Sequence, residues 1–544
     1  MRRTGAPRQI WPDEFARRYL DAGHWTDETL PGFFRARAEA HPDRIAVATA
    51  EGRHSYAEID ARSDAVAAGL RTAGLEPGDR IVLQLPNIAE FFTAMFGAMR
   101  AGLIPVYALP AHRRSEIVHF VQGSDARAFI TCDRAVGYDH RVLAREVRAE
   151  VGDLPVFVVG EAEEFGSFAA LEAGEPERFD DPDPASVAFL QLSGGSTGLS
   201  KLIPRTHRDY VYTLRESARI CELSADSVYL GTLPIAHNFP MSSPGTLGTF
   251  YAGGTVSLAL SPSPDAAFAA IERDRVTITG VVPPIAILWS RAAPTTRFDL
   301  SSLEVLQVGG ARFAPEAARQ VEPALGVTLQ QVYGMAEGLV NYTRLDDPEE
   351  VRVNTQGRPI SADDELRIVD LHGEPVADGE AGELLTRGPY TIRRYHADAD
   401  TNARAFTAEG FYRTGDLVSR TPEGNLVVRG RVSDVINRGG EKIPVEEVEN
   451  HLIGHAQVVD AVLVPIPDPL LGERSCAVVI ADDPAPAARE LRAWIRERGV
   501  AGFKVPDQFV FVDAFPSTGV GKIDRRDLRA ALKRTLHDPE SSDE

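Results

Sequence analysis

A short apolar run that ends in a glycine- and hydroxyl-rich segment is the feature that most constrains how this chain can fold. The run is Val187–Leu192, and the segment after it is Ser193-Gly194-Gly195-Ser196-Thr197-Gly198-Leu199-Ser200-Lys201. This pattern predicts a buried strand that enters a loop whose backbone can approach a ligand closely. Successive N–H groups, several hydroxyls and one Lys would then surround phosphate oxygens. A flexible Gly/Ser linker is the alternative that this stretch alone leaves open.

Length and composition exclude several classes of protein. The chain has 544 residues, of which 43% are hydrophobic and 25% charged, so it belongs with globular proteins of more than one domain. The net charge of -21 argues against nucleic-acid and anionic-membrane partners, since that affinity comes from neutralising phosphates. The three cysteines lack CxxC spacing, which predicts a reducing cytoplasm and neither disulfides nor a zinc site. We expect no signal peptide and no membrane span.

The order of patterns along the chain predicts a layered α/β architecture. From Leu30 to Ile130, helical stretches such as 57–73 alternate with β-branched runs such as 80–85, which is typical of parallel strands. The same rhythm returns after the glycine-rich segment, with strands predicted at 256–258, 276–278 and 305–308. From about Gly357, short strands with turn signals predict a small β-barrel or distorted sheet. A second unit begins near Gly430, and the polar residues 537–544 predict a disordered tail.

Five further segments combine ligand-binding residue types with strand ends or turns. GGARF at 309–313 follows a predicted strand, where a glycine pair lets backbone approach a flat ligand. YGMAE at 333–337 supplies an aromatic face for base stacking and a carboxylate for magnesium. YRTGD at 412–416 supplies an Asp that can accept hydrogen bonds from ribose hydroxyls. The last two segments are GRVSD at 430–434 and GVGKID at 519–524. Taken singly, each also fits an ordinary bulge, cap, turn, hinge or hairpin.

Together and in this order, the six segments resemble the adenylate-forming superfamily of acyl-CoA synthetases, luciferases and peptide-synthetase adenylation domains. The resemblance covers about residues 30–530 and implies ATP and Mg²⁺ as cofactors, with Glu337 as the magnesium ligand. It further implies that ATP is bound by Ser193, Gly194, Gly195, Ser196, Thr197, Gly198, Lys201, Gly309, Gly310, Ala311, Arg312, Tyr333, Gly334, Met335, Ala336, Asp416 and Arg431.

The same resemblance implies two domains that rotate against each other. Residues 1–430 would form the large core domain, 431–434 the hinge with Asp434 as its pivot, and 435–536 a small mobile α+β domain. Lys522 would be the catalytic lysine, which reaches the α-phosphate and the substrate carboxylate. Gly439 and Gly440 would line the tunnel for the thiol acceptor after rotation.

The stretch LPIAHNFPMSSPG at 233–245 falls where this superfamily builds its acid pocket. Peptide-synthetase domains for α-amino acids resemble one another in having Asp at the position of Asn238, where it pairs with the ammonium. A neutral Asn can instead hydrogen-bond a phenol hydroxyl ortho to the carboxylate, or it can simply cap a turn. With GLVNY at 338–342, the stretch resembles the stand-alone 2,3-dihydroxybenzoate and salicylate adenylating enzymes of siderophore and aryl-capped peptide biosynthesis. The acid would contact His237, Asn238, Phe239, Ser243, Gly310 and Val340.

The identity of the acid stays open at this point. Ser243 and Val340 match the dihydroxybenzoate pattern, whereas salicylate enzymes tend to carry Cys and Leu there. Phe239 stands where the dihydroxybenzoate enzymes carry Tyr, so salicylate or a substituted salicylate remains an alternative. His237 would either orient the carboxylate or gate the thiol tunnel.

The resemblance implies ATP-dependent activation of a 2-hydroxyaryl acid to its aryl-adenylate, with release of pyrophosphate. Too few residues follow Lys522 to form a carrier domain, so the predicted acceptor is the phosphopantetheine arm of a separate aryl carrier protein. An aryl-CoA ligase that uses free coenzyme A is the nearest alternative. A non-catalytic ATP-binding module is a remote one, because Glu337, Asp416 and Lys522 occur together.

Overall fold

Two large sheets form the body of the protein in the computed structural model, which describes residues 10–193, 200–370, 372–432, 435–438, 441–468, 471–498, 502–517 and 523–536. The seven-stranded sheet has the order Leu202–Thr206, Val187–Leu192, Ile104–Tyr107, Arg80–Leu83, Ala126–Cys132, Val156–Val159 and Gly166–Ser167. Its strands pair in parallel, except that Leu202–Thr206 is antiparallel to Val187–Leu192. This hairpin carries the glycine-rich segment between its two strands.

The nine-stranded sheet is parallel in its centre and antiparallel at its ends. Its order is Arg358–Pro359, Val340–Tyr342, Thr328–Gly334, Val305–Gly309, Ile278–Val281, Val228–Gly231, Thr255–Leu258, Ile45–Ala48 and Arg53–Ser55. The predicted α/β class with parallel strands is therefore confirmed. The strand predicted at 276–278 instead starts at Ile278, because the N–H of Val276 still bonds the carbonyl of Ile271 at the end of the preceding helix.

Helices cover these sheets and begin where the sequence provides caps. His207–Ile220 starts after Thr206, whose hydroxyl accepts the N–H of Asp209. Glu90–Arg100 is buried along nearly its whole length, which explains the apolar composition of this stretch without a membrane. Among the described helices, none is long and apolar enough to cross a bilayer. The helices are Asp13–Asp21, Leu30–Ala40, Tyr56–Thr72, Glu90–Arg100, Arg114–Ser124, His140–Val151, Phe168–Glu172, His207–Ile220, Asn238–Ser242, Gly245–Ala252, Pro264–Asp274, Pro283–Ala292, Pro315–Leu325, Glu349–Asn354, Ala399–Ala405, Val445–Ile453, Ala488–Glu497 and Arg525–Leu536.

Two smaller sheets follow, as the change of pattern predicts. A four-stranded antiparallel sheet consists of Glu365–Val369, Gly382–Arg387, Tyr412–Arg420 and Leu426–Arg431. A five-stranded mixed sheet consists of Glu441–Pro444, Val435–Arg438, Gly472–Ala481, Val458–Asp468 and Gln508–Phe511. The latter sheet and its three helices are the predicted C-terminal α+β unit. The hinge at 431–434, the domain limits and the mobility of this unit remain predictions.

The N-terminal segment is anchored to the body by aromatic side chains. Trp11, Tyr19 and Trp25 are buried and pack against one another with ring centroids 4.9–5.8 Å apart. The indole N–H of Trp25 donates to the carbonyl of Pro389 at 2.9 Å, and that of Trp11 lies 3.4 Å from a carboxylate oxygen of Asp209. These contacts tie residues 11–25 to segments next to the candidate site.

Candidate functional site

The glycine-rich loop is closed at its base by two hydrogen bonds. The N–H of Lys201 donates to the hydroxyl of Ser193 at 2.9 Å, and the N–H of Ser193 donates to the carbonyl of Lys201 at 3.0 Å. The predicted strand Val187–Leu192 is confirmed, and the loop leaves directly from its end. The intervening Gly194, Gly195, Ser196, Thr197 and Gly198 lie outside the described residues.

Glu337 is a buried carboxylate held by a pair of tyrosines. The hydroxyl of Tyr395 donates to its Oε1 at 2.7 Å and lies 3.0 Å from the hydroxyl of Tyr412. Burial, followed by the nearby charge of Glu337, raises the pKa of Tyr395, so this hydroxyl remains protonated and can donate. The ammonium of Lys201 lies 4.7 Å from the centroid of the Tyr395 ring. Tyr395 therefore links the loop lysine, the predicted magnesium ligand and the 412–416 segment in one cluster.

Asp416 is fixed by partners from two other predicted segments. Arg431 pairs with it across neighbouring antiparallel strands, and Nε of Arg431 lies 2.9 Å from Oδ1 of Asp416. The hydroxyl of Tyr333 donates to Oδ2 at 2.8 Å, and burial raises the pKa of Tyr333, which keeps it a donor. An ionised carboxylate can accept several hydrogen bonds at once, which suits it to the paired hydroxyls of a ribose. The structure thus brings the predicted adenine and ribose segments together.

The two glycines at the end of the strand Val305–Gly309 are each favoured at their position for a different physical reason. A Cβ on Gly309 would lie 2.8 Å from the carbonyl oxygen of Val332 and 3.1 Å from Cζ of Phe239, so no side chain fits there. Gly310 has a φ of +83°, which favours glycine. Ala311 is exposed and Arg312 half-buried, while Phe313 anchors the segment in the core. Backbone of residues 310–311 is consequently presented at the surface of the site.

A buried ion pair supports the loop that carries Glu337. Arg205 and Asp209 are each 1% exposed, and Nε of Arg205 lies 2.7 Å from Oδ1 of Asp209. Arg205 also donates to the carbonyls of Ala336 and Tyr390 at 3.0 and 3.2 Å. The second oxygen of Asp209 accepts from the N–H and hydroxyl of Thr206. A buried pair with its remaining groups satisfied in this way holds a fixed geometry, so Arg205 positions the residue next to Glu337.

Asn238 is oriented by a buried tyrosine. The hydroxyl of Tyr210 donates to Oδ1 of Asn238 at 3.0 Å, and burial raises the pKa of Tyr210. This contact occupies the amide oxygen, so the NH₂ group is the part of the Asn238 side chain that can donate to a ligand. Asn238 begins the short helix Asn238–Ser242, with His237 as its N-cap. The ring of His237 accepts the N–H of Phe239 at 3.3 Å, which gives this histidine a structural role in addition to the predicted ones.

Phe239 closes one end of the predicted acid pocket against two strands. Its Cζ lies 3.1 Å from the positions that a Cβ would take on Gly280 and on Gly309. Phe239 and Val340 belong to the same buried apolar cluster, and Ser243 is joined to Phe239 through a 3.1 Å backbone hydrogen bond. Ser243 and Val340 are 3% and 1% exposed, respectively. The residues predicted to contact the acid therefore lie in one region.

Several side chains that hold the candidate site residues have no signal in the local sequence. Tyr395 and Glu337 are 58 residues apart, and Tyr210 and Asn238 are 28 apart. Tyr412 lies inside a recognised segment, but its contact with Tyr395 follows only from the fold. Co-variation between the paired positions is the signal that could have found them.

Four predicted residues of the C-terminal part are not placed. Asp434, Gly439, Gly440 and Lys522 all lie outside the described residues. Of the predicted ATP-site residues elsewhere, Gly334 ends the strand Thr328–Gly334, and Met335 and Ala336 lead from it to Glu337; the N–H of Met335 donates to the carbonyl of Leu339 at 3.1 Å. Within the described ranges, no group of three or more His, Cys, Asp or Glu side chains could hold a metal ion by itself.

Comparison with known proteins defines the class. The family model for AMP-binding enzymes matches residues 34–396, and that for the AMP-binding enzyme C-terminal domain matches 447–522. The chain therefore belongs to the AMP-binding enzymes, and the predicted membership of the adenylate-forming superfamily is confirmed.

Individual relatives indicate which kinds of AMP-binding enzyme the chain is similar to. A 2,3-dihydroxybenzoate-AMP ligase of Bacillus subtilis is 55% identical over 527 residues, which cover 97% of this chain and 98% of the relative. A salicyl-AMP ligase / salicyl-S-ArCP synthetase of Mycobacterium tuberculosis is 48% identical over 524 residues, with 95% and 93% covered. The apo structure of Mycobacterium smegmatis MbtA aligns with a TM-score of 0.75 at 48% identity and covers 96% of this chain and 98% of its own.

Proposed function

We propose that the protein uses ATP to convert a 2-hydroxyaryl acid into its aryl-adenylate and then transfers the aryl group to the phosphopantetheine thiol of a separate aryl carrier protein. The observation that carries the proposal is Asn238, a buried neutral amide whose oxygen is occupied by Tyr210. Its NH₂ can donate to the oxygen of an ortho hydroxyl, whose own proton can bond the neighbouring carboxylate. Relatives named as 2,3-dihydroxybenzoate-AMP and salicyl-AMP ligases support the same assignment.

ATP would lie across the segments that meet around Glu337. The loop 193–201 would surround the phosphates, Tyr333 and residues 309–313 would flank the adenine, and Asp416 with Arg431 would take the ribose hydroxyls. Glu337 fits a magnesium site, because Mg²⁺ is usually held by one or two carboxylates together with substrate phosphates. When bound, the ion would neutralise phosphate charge.

The first step requires positioning and not a general base. The carboxylate is already an anion at neutral pH. One of its oxygens would form a bond to the α-phosphorus while the bond from that phosphorus to the α–β bridging oxygen breaks, and the electron pair leaves with pyrophosphate. Lys201 and Lys522 would neutralise charge that develops on the phosphates. His237 would orient the carboxylate or gate the thiol tunnel.

The second step transfers the aryl group from adenylate to thiol. The thiol sulfur would form a bond to the acyl carbon, its proton would go to solvent, and AMP would leave. A rotation of the small domain about Asp434 would remove Lys522 and bring Gly439 and Gly440 to the tunnel, a domain motion of a known kind. Free coenzyme A is the alternative acceptor.

The acid is proposed to be 2,3-dihydroxybenzoate or salicylate. Ser243 favours the former, because its hydroxyl can partner a 3-hydroxyl, whereas an unpaired buried hydroxyl costs about 1–3 kcal/mol. Phe239 favours the latter, because it offers no polar group at its end of the pocket.

The test measures the two half-reactions separately. ATP–pyrophosphate exchange with benzoate, salicylate and 2,3-dihydroxybenzoate identifies the acid, and thioester formation on an aryl carrier protein and on coenzyme A identifies the acceptor. We expect Lys522→Ala to lose adenylate formation but to keep thioester formation from supplied aryl-AMP. Lys504→Ala is the matched control, since Lys504 pairs with Glu447 in the small domain at 2.7 Å and should retain both steps.

Exchange with none of the acids would contradict the proposal and favour a non-catalytic module. Thioester formation on coenzyme A but not on a carrier protein would show that coenzyme A is the acceptor. Equal loss of both half-reactions in Lys522→Ala would contradict the two-state role of that lysine.

A further inference from the structure

A cavity of about 570 Å³ lies beside the end of the loop 193–201. None of its lining residues is one of the predicted acid-pocket residues, so it is distinct from that pocket. Its polar wall includes Ser200, Lys201, His119, His396, Arg404 and Arg413.

The charge of this cavity is opposite to that of the protein. Lys201, Arg404 and Arg413 line it, although the chain as a whole carries a net charge of -21. Asp398 is the one acidic side chain among its lining residues, and this carboxylate already caps a helix by accepting the N–H of Thr401 at 2.7 Å. A cationic cavity in an acidic protein concentrates anions locally.

The two arginines retain donors for a ligand. Arg404 is exposed and makes a 3.5 Å contact with the hydroxyl of Thr401, and Arg413 lies 3.7 Å from Glu383, which does not line the cavity. A guanidinium offers five N–H donors in a planar arrangement that matches phosphate oxygens. These geometries leave most of those donors available to a bound polyanion.

The cavity shares residues with the candidate catalytic site. Lys201 lies against the ring of Tyr395, whose hydroxyl bonds Glu337, and Tyr412, which contacts Tyr395, is itself a lining residue. His119 lies 3.0 Å from the carbonyl of Ser200 and so fixes the end of the loop at the mouth of the cavity. Lys201 therefore borders both the Glu337 cluster and this cavity.

We propose that the cavity binds the inorganic pyrophosphate released by adenylation, with Arg404 and Arg413 as its ligands. The inference rests on the proposed function, in which the electron pair of the broken phosphoanhydride bond leaves with pyrophosphate and increases its negative charge. Pyrophosphate is small enough for the cavity and carries several oxygens that can each accept from a guanidinium. Binding here separates it from the aryl-adenylate and sets its affinity in the reverse reaction.

Kinetics of exchange and direct binding test this site. Arg404→Ala should raise the KM for pyrophosphate in ATP–pyrophosphate exchange by about tenfold, because a charge-assisted contact is lost. The KM for ATP should change by less than about threefold on the same physical argument, since Arg404 lies outside the loop 193–201. Arg404→Lys should recover part of the effect. Arg297→Ala is the control, because Arg297 is exposed, packs on Phe298 and does not line the cavity.

Each outcome of these measurements either supports or overturns the proposed pyrophosphate site. A selective rise in the KM for pyrophosphate, with weaker calorimetric binding of pyrophosphate to Arg404→Ala than to wild type, supports the site. Behaviour like that of Arg297→Ala overturns it. An equal rise in the KM for ATP also overturns it, because Arg404 would then hold the phosphates of ATP. If wild type exchanges with no aryl acid, the proposed function fails, and calorimetry alone decides whether an Arg404-dependent pyrophosphate site exists.

Discussion

The nucleotide half and the acid half of the candidate site are built from different chemistry. Around the proposed nucleotide, charged groups are held by buried partners, as Tyr395 holds Glu337 and as Arg431 and Tyr333 hold Asp416. Around the proposed acid, Asn238, Phe239, Ser243 and Val340 carry no charge, and Asn238 is fixed by a tyrosine and not by a charge.

This difference separates reactivity from selectivity. Charge fixed in position before the ligand arrives stabilises developing negative charge in any adenylation reaction, whichever acid is used. Neutral groups discriminate between acids through single hydrogen bonds and through shape. Each such contact contributes less free energy than a fixed charge beside the reacting phosphate. Changes in the first half should therefore affect all acids alike, and changes in the second half should affect some acids more than others.

The largest effect is expected from Glu337→Gln, which keeps the shape of the side chain and removes its charge. We expect kcat for exchange to fall about 10²- to 10³-fold with every acid, the scale seen when one electrostatic contact to a transition state is lost. The magnesium concentration needed for half-maximal rate should rise. Glu349→Gln, at an exposed helix position, is the control. A fall in kcat confined to one acid would contradict the proposed division between the nucleotide half and the acid half of the site.

A smaller, acid-dependent effect is expected from Asn238→Ala. Loss of the amide should lower kcat/KM for salicylate about 5- to 150-fold, since an unpaired buried polar group costs about 1–3 kcal/mol. Benzoate, which has no ortho hydroxyl, serves as the internal control and should change little. In the wild type, benzoate should already be a poorer substrate than salicylate. Equal kcat/KM for the two acids in the wild type would remove the proposed role of Asn238.

The smallest effect is expected from Ser243→Cys. A thiol is a weaker hydrogen-bonding partner than a hydroxyl, so the ratio of kcat/KM for 2,3-dihydroxybenzoate to that for salicylate should fall, by about fivefold for a loss near 1 kcal/mol. Ser242→Cys, one position earlier in the same buried stretch, is the matched control. An unchanged ratio in Ser243→Cys would show that Ser243 does not contact a 3-hydroxyl.

The sequence allows the framework to be predicted because its signals are local. Apolar runs beside glycines predict strands at 187–192 and 305–308, which the structure has as Val187–Leu192 and Val305–Gly309. The short runs with turn signals after Gly357 predict a small sheet, which is present as four antiparallel strands. The order of the segments identifies the superfamily. The strand at Ile278 was misplaced by two residues, because apolar content alone does not show where a preceding helix releases the backbone.

The supporting contacts could not be predicted, because they join residues that are distant in the chain. Arg205 reaches the carbonyl of Ala336 across 131 positions, and Trp11 reaches Asp209 across 198. None of these four residues is of an unusual type for its position in the sequence. Such contacts follow only from the packing of distant segments against one another, which no local pattern encodes.

The ring of Phe239, wedged against the bare Cα atoms of Gly280 and Gly309, has a consequence for how the preference of this protein can evolve. Neither glycine can gain a side chain without displacing the ring, and Gly309 is also confined by the carbonyl of Val332. Because both strands are closed to side chains here, residue 239 is the position at which the shape of this end of the predicted pocket can change. A lineage could exchange one aromatic acid for another there while both strands, and the nucleotide chemistry they support, are inherited unchanged.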